Sequence, residues 1–231
     1  MLKLELNNVT KKYKYKTALD NMNLIIDEPG VVGFFGPNGS GKTTTIKILA
    51  SLLKQYTGEV LINGLKPGLD TKSIVSYLPD RNFLEDNKKV SYALKIFNDF
   101  YLDFDIDLAK SLLEKFKISE ETMVYALSKG NKEKLHTILV ISRRAKIYLF
   151  DEPIAGVDPA SREVVFNLIT QNCSKDAIVL LTTHLILDVE NIIDRAIFIK
   201  EGQVVLNETK EQFKSNETSL NDRFKEEFKC F

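Results

Sequence analysis

The segment GPNGSGKTT, residues 36–44, constrains the fold of this chain more than any other part of the sequence. It matches the pattern G-x-x-x-x-G-K-[ST] in full, with an apolar stretch (Val31–Phe35) before it and a helical pattern (KTTTIKILASLL) after it. Glycines in such a turn let backbone N–H groups approach phosphate oxygens, and the N-terminus of the following helix adds a positive dipole. The segment therefore predicts a strand, a phosphate-binding loop and a helix in succession.

Two side chains of this loop have specific expected roles. Lys42 is expected to reach the β- and γ-phosphates as a point charge, and Thr43 to offer its hydroxyl to Mg²⁺. The other loop residues that we predict to contact the nucleotide are Gly36, Pro37, Asn38, Gly39, Ser40, Gly41 and Thr44. A glycine-rich turn with an incidental lysine is the alternative, and it is disfavoured because the pattern is complete and its flanking segments agree.

Strand and helix patterns alternate along the rest of the chain. Ile147–Phe150 and Ala177–Thr183 are short apolar runs typical of strands buried on both faces, and the helical pattern PASREVVFNLITQ lies between them. This alternation predicts an α/β fold. Two segments in the first thirty residues and GEVLING, residues 58–64, have the character of strands joined by turns, so we expect an antiparallel sheet beside the α/β core.

The middle and the end of the chain differ in character. Two helical faces are predicted in the middle, one of Leu94, Phe97 and Tyr101 and the other of Leu108, Leu112, Leu113 and Phe116. The charged stretch after Asn207 carries Leu220, Phe224 and Phe228 at four-residue spacing, which predicts a short amphipathic helix. We predict one domain over residues 2–206, with a helical subdomain inserted at about 82–130, and a short charged extension at 207–231.

Composition disfavours several functional classes. The 32 basic and 32 acidic residues cancel, which gives no support to a nucleic-acid partner. Cys173 and Cys230 stand in neither a metal-binding nor a redox spacing, which fits a reducing cytosol. The N-terminus alternates like a strand, and no apolar run approaches the roughly 20 residues needed to span a bilayer. We therefore expect a protein that does not cross a membrane by itself.

The segment IYLFDEP, residues 147–153, places two acids at the end of a buried strand. Asp151 is expected to order the metal through its water shell. Side chains alternate along a strand, but at the strand end Glu152 could turn towards the γ-phosphate and polarise a water. Two solvated acids at a strand terminus are the alternative, which the phosphate loop elsewhere in the chain disfavours.

These motifs, in this order, resemble the nucleotide-binding subunit of an ABC transporter from about residue 2 to 206. The resemblance implies a P-loop NTPase with a RecA-like core, an antiparallel β subdomain and an inserted α-helical subdomain. Five further segments carry it: Tyr13 as the aromatic on adenine, with Tyr15 as a competitor; YLPD (77–80) as the Q-loop; LSKGN (127–131) as the signature; AGVD (155–158) as the D-loop; and His184 in LTTHL as the switch histidine.

The resemblance also implies cofactors and partners. Two such subunits would enclose two ATP molecules with Mg²⁺, each ATP held by the P-loop of one subunit and by Ser128 and Gly130 of the other. His184 would contact the γ-phosphate and hold the attacking water with Glu152, and Asp158 would help the subunits communicate. The implied partners are a second ATPase subunit, the same or different, and a separate transmembrane permease subunit at the inner face of the cell membrane.

Two motifs depart from the family pattern. Asp80 stands where the family has glutamine; it keeps an oxygen for Mg²⁺ but adds a negative charge, and a solvated loop acid is the alternative. In the signature, Lys129 replaces a glycine and Asn131 replaces a glutamine, while Ser128 and Gly130 are kept. Lysine-containing signatures resemble those of ABC-2 type exporters, whose membrane domain is a separate chain, so we expect export. The charges of the following KEKL segment are expected to form a solvated helix face.

Three functions are compatible with this sequence. The leading hypothesis is an ATPase that drives a separate transmembrane subunit. The second is a nucleotide-gated dimerising module with weak hydrolysis, which the altered Q-loop and signature would explain. The third is a soluble ABC ATPase without a transport role, although the chain has neither a tandem cassette nor a long coiled-coil insertion.

Overall fold

The phosphate loop joins strand β3 (Gly30–Phe35) to helix α1 (Lys42–Leu49), as the sequence predicts. The computed structural model describes residues 2–154, 157–215 and 218–228. Ala155 and Gly156 of the predicted D-loop segment, and Cys230, lie outside the described residues.

The central sheet has six strands in the order β5-β6-β7-β3-β8-β9. Its strands are β5 (Val75–Leu78), β6 (Ile147–Asp151), β7 (Ile178–Thr182), β3, β8 (Arg195–Lys200) and β9 (Gln203–Thr209). The first five in spatial order are parallel, and β9 pairs antiparallel with β8. The carboxyl ends of the parallel strands therefore meet at one edge, where ligands of α/β sheets bind. The strand β6 is buried along its whole length, as its apolar sequence predicts.

A second sheet, antiparallel, has the order β2-β1-β4. It consists of β1 (Leu4–Tyr13), β2 (Lys16–Ile26) and β4 (Thr57–Ile62). The buried side chains of this sheet, such as Leu6, share one apolar core with Ile46 of α1. Because β1 and β2 form a hairpin in which Tyr13 pairs with Lys16, both residues stand at the same end of the sheet.

The helical region predicted in the middle of the chain is present. It comprises α3 (Val90–Phe100), α4 (Ile106–Lys115), a short 3-10 turn (Val124–Ala126) and the start of α5 (Lys129–Ile141). The short helix α2 (Leu69–Lys72) precedes β5 and lies before the predicted range of about 82–130. The apolar faces of α3 and α4 pack into the larger apolar core together with α5. The predicted fold class, an α/β core with an antiparallel sheet and an inserted helical region, is therefore confirmed.

The expectation of a solvated KEKL face is wrong. The Lys132 ammonium lies 2.8 Å from the Asp86 carboxylate, and the Lys134 ammonium lies 5.5 Å from the centre of the Phe116 ring. Both lysines are half-buried. These side chains join α5 to the preceding segments because the inserted region folds back over the start of this helix.

The remaining helices are α6 (Pro159–Asn172), α7 (Ile186–Val189), α8 (Lys210–Lys214) and α9 (Leu220–Glu227). The rings of Phe224 and Phe228 lie 5.4 Å and 5.8 Å from that of Phe198 in β8, so α9 packs on the central sheet. Strand β9 crosses the position predicted as the domain limit, residue 206, and the division of the chain there stays a prediction. In the described part of the chain, no helix combines the length and apolarity needed to span a membrane.

Candidate active site

The loop between β3 and α1 needs glycine at two positions. Gly39 and Gly41 have φ angles of +83° and +116°, which L side chains rarely adopt. A Cβ atom on Gly41 would also lie 2.6 Å from the carbonyl oxygen of Ala18. The Ser40 N–H donates to the Pro37 carbonyl at 3.1 Å, which closes the loop. The loop backbone is thus held in a tight turn that leads into the N-terminus of α1.

Lys42 is buried within this loop. Its ammonium donates to the carbonyl oxygens of Gly36 at 2.6 Å and Pro37 at 3.3 Å. Burial lowers the pKa of Lys42, and the negative charges of Glu152 and Asp151 oppose that shift. The ammonium is thus aligned with the loop, and its charge is stabilised by acids from another strand.

Asp151, the last residue of β6, has one satisfied and one unsatisfied carboxylate oxygen. Its Oδ1 accepts hydrogen bonds from the hydroxyls of Thr43 at 3.1 Å and Thr182 at 3.0 Å. Its Oδ2 is buried and has no hydrogen-bond partner among the described residues. Burial raises the pKa of Asp151, against the effect of the two threonine hydroxyls. A buried oxygen without a partner is rare in folded proteins, and this one has its acceptor capacity available to a metal ion or to a water bound to it.

The surroundings of Asp151 fit Mg²⁺ in the presence of a nucleotide. The carboxylate oxygen and the Thr43 hydroxyl are hard oxygen donors of the kind that Mg²⁺ prefers. Across residues 2–154, 157–215 and 218–228, no group of three or more histidine, cysteine, aspartate or glutamate side chains is arranged to hold a metal ion. The protein alone therefore offers only part of a coordination shell, and phosphate oxygens and water would have to supply the rest.

Glu152 adopts a left-handed backbone conformation, with φ of +51°. Its N–H donates to the Thr182 hydroxyl at 2.9 Å, and its carboxylate oxygen Oε2 lies 3.1 Å from Nδ1 of His184. Such a conformation is uncommon for a residue other than glycine, and it occurs often at functional sites. The backbone thus turns at the strand end and directs the Glu152 side chain towards His184, which follows β7.

Thr182 is a site residue that sequence reasoning missed. Its hydroxyl lies between the Asp151 carboxylate and the Glu152 backbone, so it positions both acids. The sequence offers one signal for this role: Thr182 is a hydroxyl residue at the end of an otherwise apolar strand, two positions before His184. That signal becomes specific only when β7 is known to lie next to β6.

Two adjoining cavities, of about 330 Å³ and 430 Å³, surround the loop. The first is lined by Tyr13, Lys16, Ala18, Asn38, Gly39, Gly41, Lys42, Thr43, Thr44, Asp80 and Glu152. The second is lined by Gly36, Pro37, Asn38, Asp80, Glu152, His184 and Phe224. Lys16 and Phe224 were not predicted. The structure therefore brings the phosphate loop, Asp80, Glu152 and His184 together, and it does so from segments far apart in the chain.

Tyr13 stands at the rim of the first cavity. Its side chain is 43% exposed, and the Lys11 ammonium lies 4.8 Å from the centre of its ring. The competing residue, Tyr15, is fully exposed and lines neither cavity. Of the two tyrosines, only Tyr13 is therefore placed where a base could stack beside the phosphate loop.

Tyr77 lies beneath the predicted Q-loop residue Asp80. Its hydroxyl is buried without a hydrogen-bond partner among the described residues. Burial raises the pKa of Tyr77, and the charges of Asp151 and Asp80 raise it further. Asp80 itself is exposed and lines both cavities. Its carboxylate thus faces the space beside the loop and lies within electrostatic reach of Asp151.

The signature and D-loop residues lie outside both cavities. Ser128 caps α5 by accepting a hydrogen bond from the Asn131 N–H at 3.3 Å, and Asp158 caps α6 by accepting one from the Ser161 N–H at 3.0 Å. A Cβ atom on Gly130 would lie 3.0 Å from the Ser161 hydroxyl oxygen, so the two helix starts touch. Within one chain, the structure keeps these residues together and apart from the phosphate loop.

Comparison with known proteins gives consistent matches. The sequence profile of the family described as ABC transporter matches residues 19–155. The ABC transporter ATP-binding protein MJ1023 of Methanocaldococcus jannaschii, which is uncharacterized, is 32% identical over 88% of this chain and 76% of its own length. The lipopolysaccharide export system ATP-binding protein LptB of Haemophilus influenzae is 28% identical over 98% of both chains. A solved ATP-binding subunit of an ABC transporter superposes with a TM-score of 0.85 at 25% identity, covering 98% of this chain and 99% of the other.

Proposed function

The chain belongs to the ABC transporter family, as an ATP-binding ATPase subunit of the dimerising kind, and we propose that it powers an exporter by driving a separate transmembrane subunit. In this proposal, two ATPase subunits close around two ATP molecules with Mg²⁺. The observation that carries the hydrolytic part is the contact between Glu152 and His184 beside the phosphate loop.

The arrangement supports hydrolysis by general-base catalysis. Glu152 accepts a proton from the water that attacks the γ-phosphorus, and His184 holds the Glu152 carboxylate in place at 3.1 Å. Lys42 exchanges its carbonyl partners for phosphate oxygens when ATP binds, because a charged acceptor makes the stronger hydrogen bond. The backbone N–H groups of the loop and the dipole of α1 stabilise the charge that develops on the phosphates.

Asp151 and Thr43 would hold the Mg²⁺ that accompanies ATP. A Mg²⁺ ion held by these residues would neutralise charge on the phosphate oxygens of the nucleotide. The unsatisfied Oδ2 of Asp151 supports this assignment, because the metal or its water would remove the cost of that buried oxygen. Asp80 faces the same space and would contribute a further oxygen.

Ser128 and Gly130 would complete the ATP site of a second subunit. In one chain they lie outside both nucleotide cavities, at the N-terminus of α5, where backbone N–H groups favour anions. A phosphate loop and a helix N-terminus that lie apart in the single chain fit a dimer in which the helix N-terminus of each subunit faces the phosphate loop of the other. Asp158 accepts a hydrogen bond from the Ser161 N–H, and the Ser161 hydroxyl lies against Gly130. Asp158 would therefore couple the two ATP sites of the dimer.

A groove in the helical region would receive the transmembrane subunit. Its volume is about 840 Å³, and most of its lining is apolar or aromatic: Leu69, Tyr77, Pro79, Phe83, Ile96, Phe97, Phe100, Tyr101 and Leu102. Leu69, Phe100 and Leu102 are 85%, 76% and 107% exposed. A group of large exposed apolar side chains that line one groove is typical of a protein–protein interaction site. The groove adjoins the segment from Tyr77 to Asp80, so an occupant would sense the nucleotide cavity directly.

The proposed direction of transport is export, and the proposed location is the inner face of the cell membrane. Export is supported by the lysine-containing signature and by the similarity to LptB, a lipopolysaccharide export system protein that matches along nearly the whole chain. The location, at the inner face of the cell membrane, follows from the proposed transmembrane partner.

The experiment compares Glu152→Gln with wild type and with Glu114→Gln, an exposed acid on α4 that serves as the matched control. Glu152→Gln should lower ATP turnover by at least about 100-fold, because a general base is lost, while ATP binding persists. With MgATP, this variant should elute as a dimer in size-exclusion chromatography, whereas the control should behave as wild type.

The opposite results separate the competing functions. Equal turnover in Glu152→Gln and wild type would remove Glu152 from the role of base. If wild type itself formed the stable ATP dimer and barely hydrolysed, the nucleotide-gated module would be the better description. Loss of ATP binding in Glu152→Gln would contradict the assignment of Glu152 to hydrolysis alone.

A further inference from the structure

Lys16 brings a second ammonium group to the phosphate loop from a different sheet. It is the first residue of β2 and pairs with Tyr13 across the hairpin. Its Nζ atom lies 2.7 Å from the position that a Cβ atom on Gly39 would occupy. Lys16 lines the same cavity as Lys42. The antiparallel sheet thus supplies the nucleotide cavity with a charge as well as with Tyr13.

The Lys16 ammonium is available to a ligand. Within the described parts of the chain, its side chain has no ion pair or hydrogen bond. Other lysines of the hairpin differ: Lys11 donates to the Gln55 carbonyl at 2.6 Å, and Lys12 lines neither cavity. Lys42 is already bonded to two carbonyl groups of the loop. Among these side chains, Lys16 is the one with unused donors directed at the loop.

The side chains around the cavity, Lys16 left aside, carry a net negative charge. One ammonium, that of Lys42, faces three carboxylates, those of Asp80, Asp151 and Glu152. These side chains alone leave two negative charges in excess, and a nucleotide would add more. Like charges at such short range oppose binding. Lys16 lines the same cavity as Asp80, so its positive charge reduces this excess.

We propose that Lys16 is a second phosphate-binding lysine of this site, which contacts the part of the phosphate chain held by the loop backbone at Gly39. This part is present in ADP as well as in ATP, since the loop backbone cradles the inner phosphates. The inference rests on the proposed nucleotide site and adds to it a residue from the antiparallel sheet. Lys16 thereby contributes to affinity for both nucleotides and offsets the charge of Asp80.

The test is nucleotide affinity measured by isothermal titration calorimetry on Lys16→Gln, Lys16→Arg and the matched control Lys12→Gln. The probes are MgADP and the magnesium complex of adenylyl imidodiphosphate, which is not hydrolysed. Lys16→Gln should weaken binding of both about tenfold, because a charge-assisted hydrogen bond is lost. Lys16→Arg should bind within a few-fold of wild type, and Lys12→Gln should equal wild type.

Adding a change at Asp80 sharpens the charge argument. If Lys16 offsets the Asp80 carboxylate, the loss caused by Lys16→Gln should be smaller in an Asp80→Asn background than in wild type. Equal affinities of Lys16→Gln and Lys12→Gln would overturn the proposal. Weakening for the ATP analogue alone would overturn the placement at Gly39. A wild-type chain that binds neither nucleotide would instead refute the site as a whole.

Discussion

Replacing Thr182 with valine tests whether one buried hydroxyl sets the geometry of both Asp151 and Glu152. Valine has nearly the same shape as threonine, so the change removes the hydroxyl and leaves the volume of the side chain. Thr182 is fully buried; its hydroxyl donates to the Asp151 carboxylate at 3.0 Å and accepts from the Glu152 N–H at 2.9 Å. The variant therefore leaves a partly buried N–H without its hydrogen-bond partner at a residue with φ of +51°.

The expected loss of stability follows from the two hydrogen bonds that the Thr182 hydroxyl makes. A neutral hydrogen bond contributes about 1 kcal/mol and one to a charged group about 1.5–3 kcal/mol, so Thr182→Val should lower the free energy of unfolding by roughly 2–4 kcal/mol. For a chain of this size that corresponds to a melting temperature lower by roughly 5–15 °C. Thr182→Ser keeps the hydroxyl and loses one methyl group, so it should cost only about 1 kcal/mol.

Turnover separates the functional effect from the structural one. With its N–H unpaired, Glu152 is no longer fixed relative to the γ-phosphate, and a displacement of about 1 Å can lower a rate about 100-fold. We expect kcat for ATP to fall about 10- to 100-fold in Thr182→Val and to stay near wild type in Thr182→Ser. Both are assayed well below their melting temperatures. If the two variants had equal kcat, Thr182 would not position Glu152 and the reasoning would be refuted.

Three further predictions concern the anchor of α9, the metal site and the groove. Arg223 binds Glu208 through two hydrogen bonds of 2.6 and 2.7 Å and lowers its pKa below the ordinary 4.5, so the pair contributes stability at neutral pH and loses it as pH falls. Arg223→Gln should therefore cost about 1 kcal/mol at pH 7, and the difference in urea unfolding should vanish in acid; a difference that grows below pH 4.5 would contradict this assignment. Asp151→Asn removes a buried charge, so it should raise the melting temperature without nucleotide and abolish the extra rise given by MgATP; an unchanged MgATP effect would argue against Asp151 as a metal residue. Phe100→Ser should leave ATP turnover of the isolated chain unchanged but move the protein from the membrane fraction to the soluble fraction of its host cells, whereas Val205→Ser should not; retention of Phe100→Ser in the membrane fraction would remove the groove as the docking site.

The parts of the fold that the sequence predicts are those whose signals are local. Strands β3, β6 and β7 are apolar runs because both faces of the central sheet are covered, one by helices and the other by α1 and the antiparallel sheet. A helical pattern follows β3 and β6 in the sequence. Strands β5 and β9 of the central sheet lack that signal. Strand β5 has only four residues, one of them Ser76, whose buried hydroxyl donates to the Val140 carbonyl at 2.9 Å. The edge strand β9 alternates between exposed and half-buried residues.

The site residues likewise divide into those with a local sequence signal and those without one. The loop, Asp151, Glu152 and His184 follow directly from motifs, because each stands at the end of a recognisable strand. Lys16 and Thr182 could not be predicted, since their roles depend on which strands and sheets become neighbours. The charges of the KEKL segment were misjudged for the same reason: Asp86, the partner of Lys132, lies 46 residues earlier in the chain.

The central claim is that each ATP site combines the phosphate loop of one subunit with Ser128 of another, and mixing two inactive variants tests it directly. Lys42→Ala disables the loop and Ser128→Arg blocks the signature, so each variant alone should be unable to hydrolyse ATP. A mixed dimer contains one site in which both elements are intact. If subunits pair at random, equal mixing should restore about a quarter of the wild-type ATPase rate. A mixture that stays as inactive as its two components would contradict the composite site.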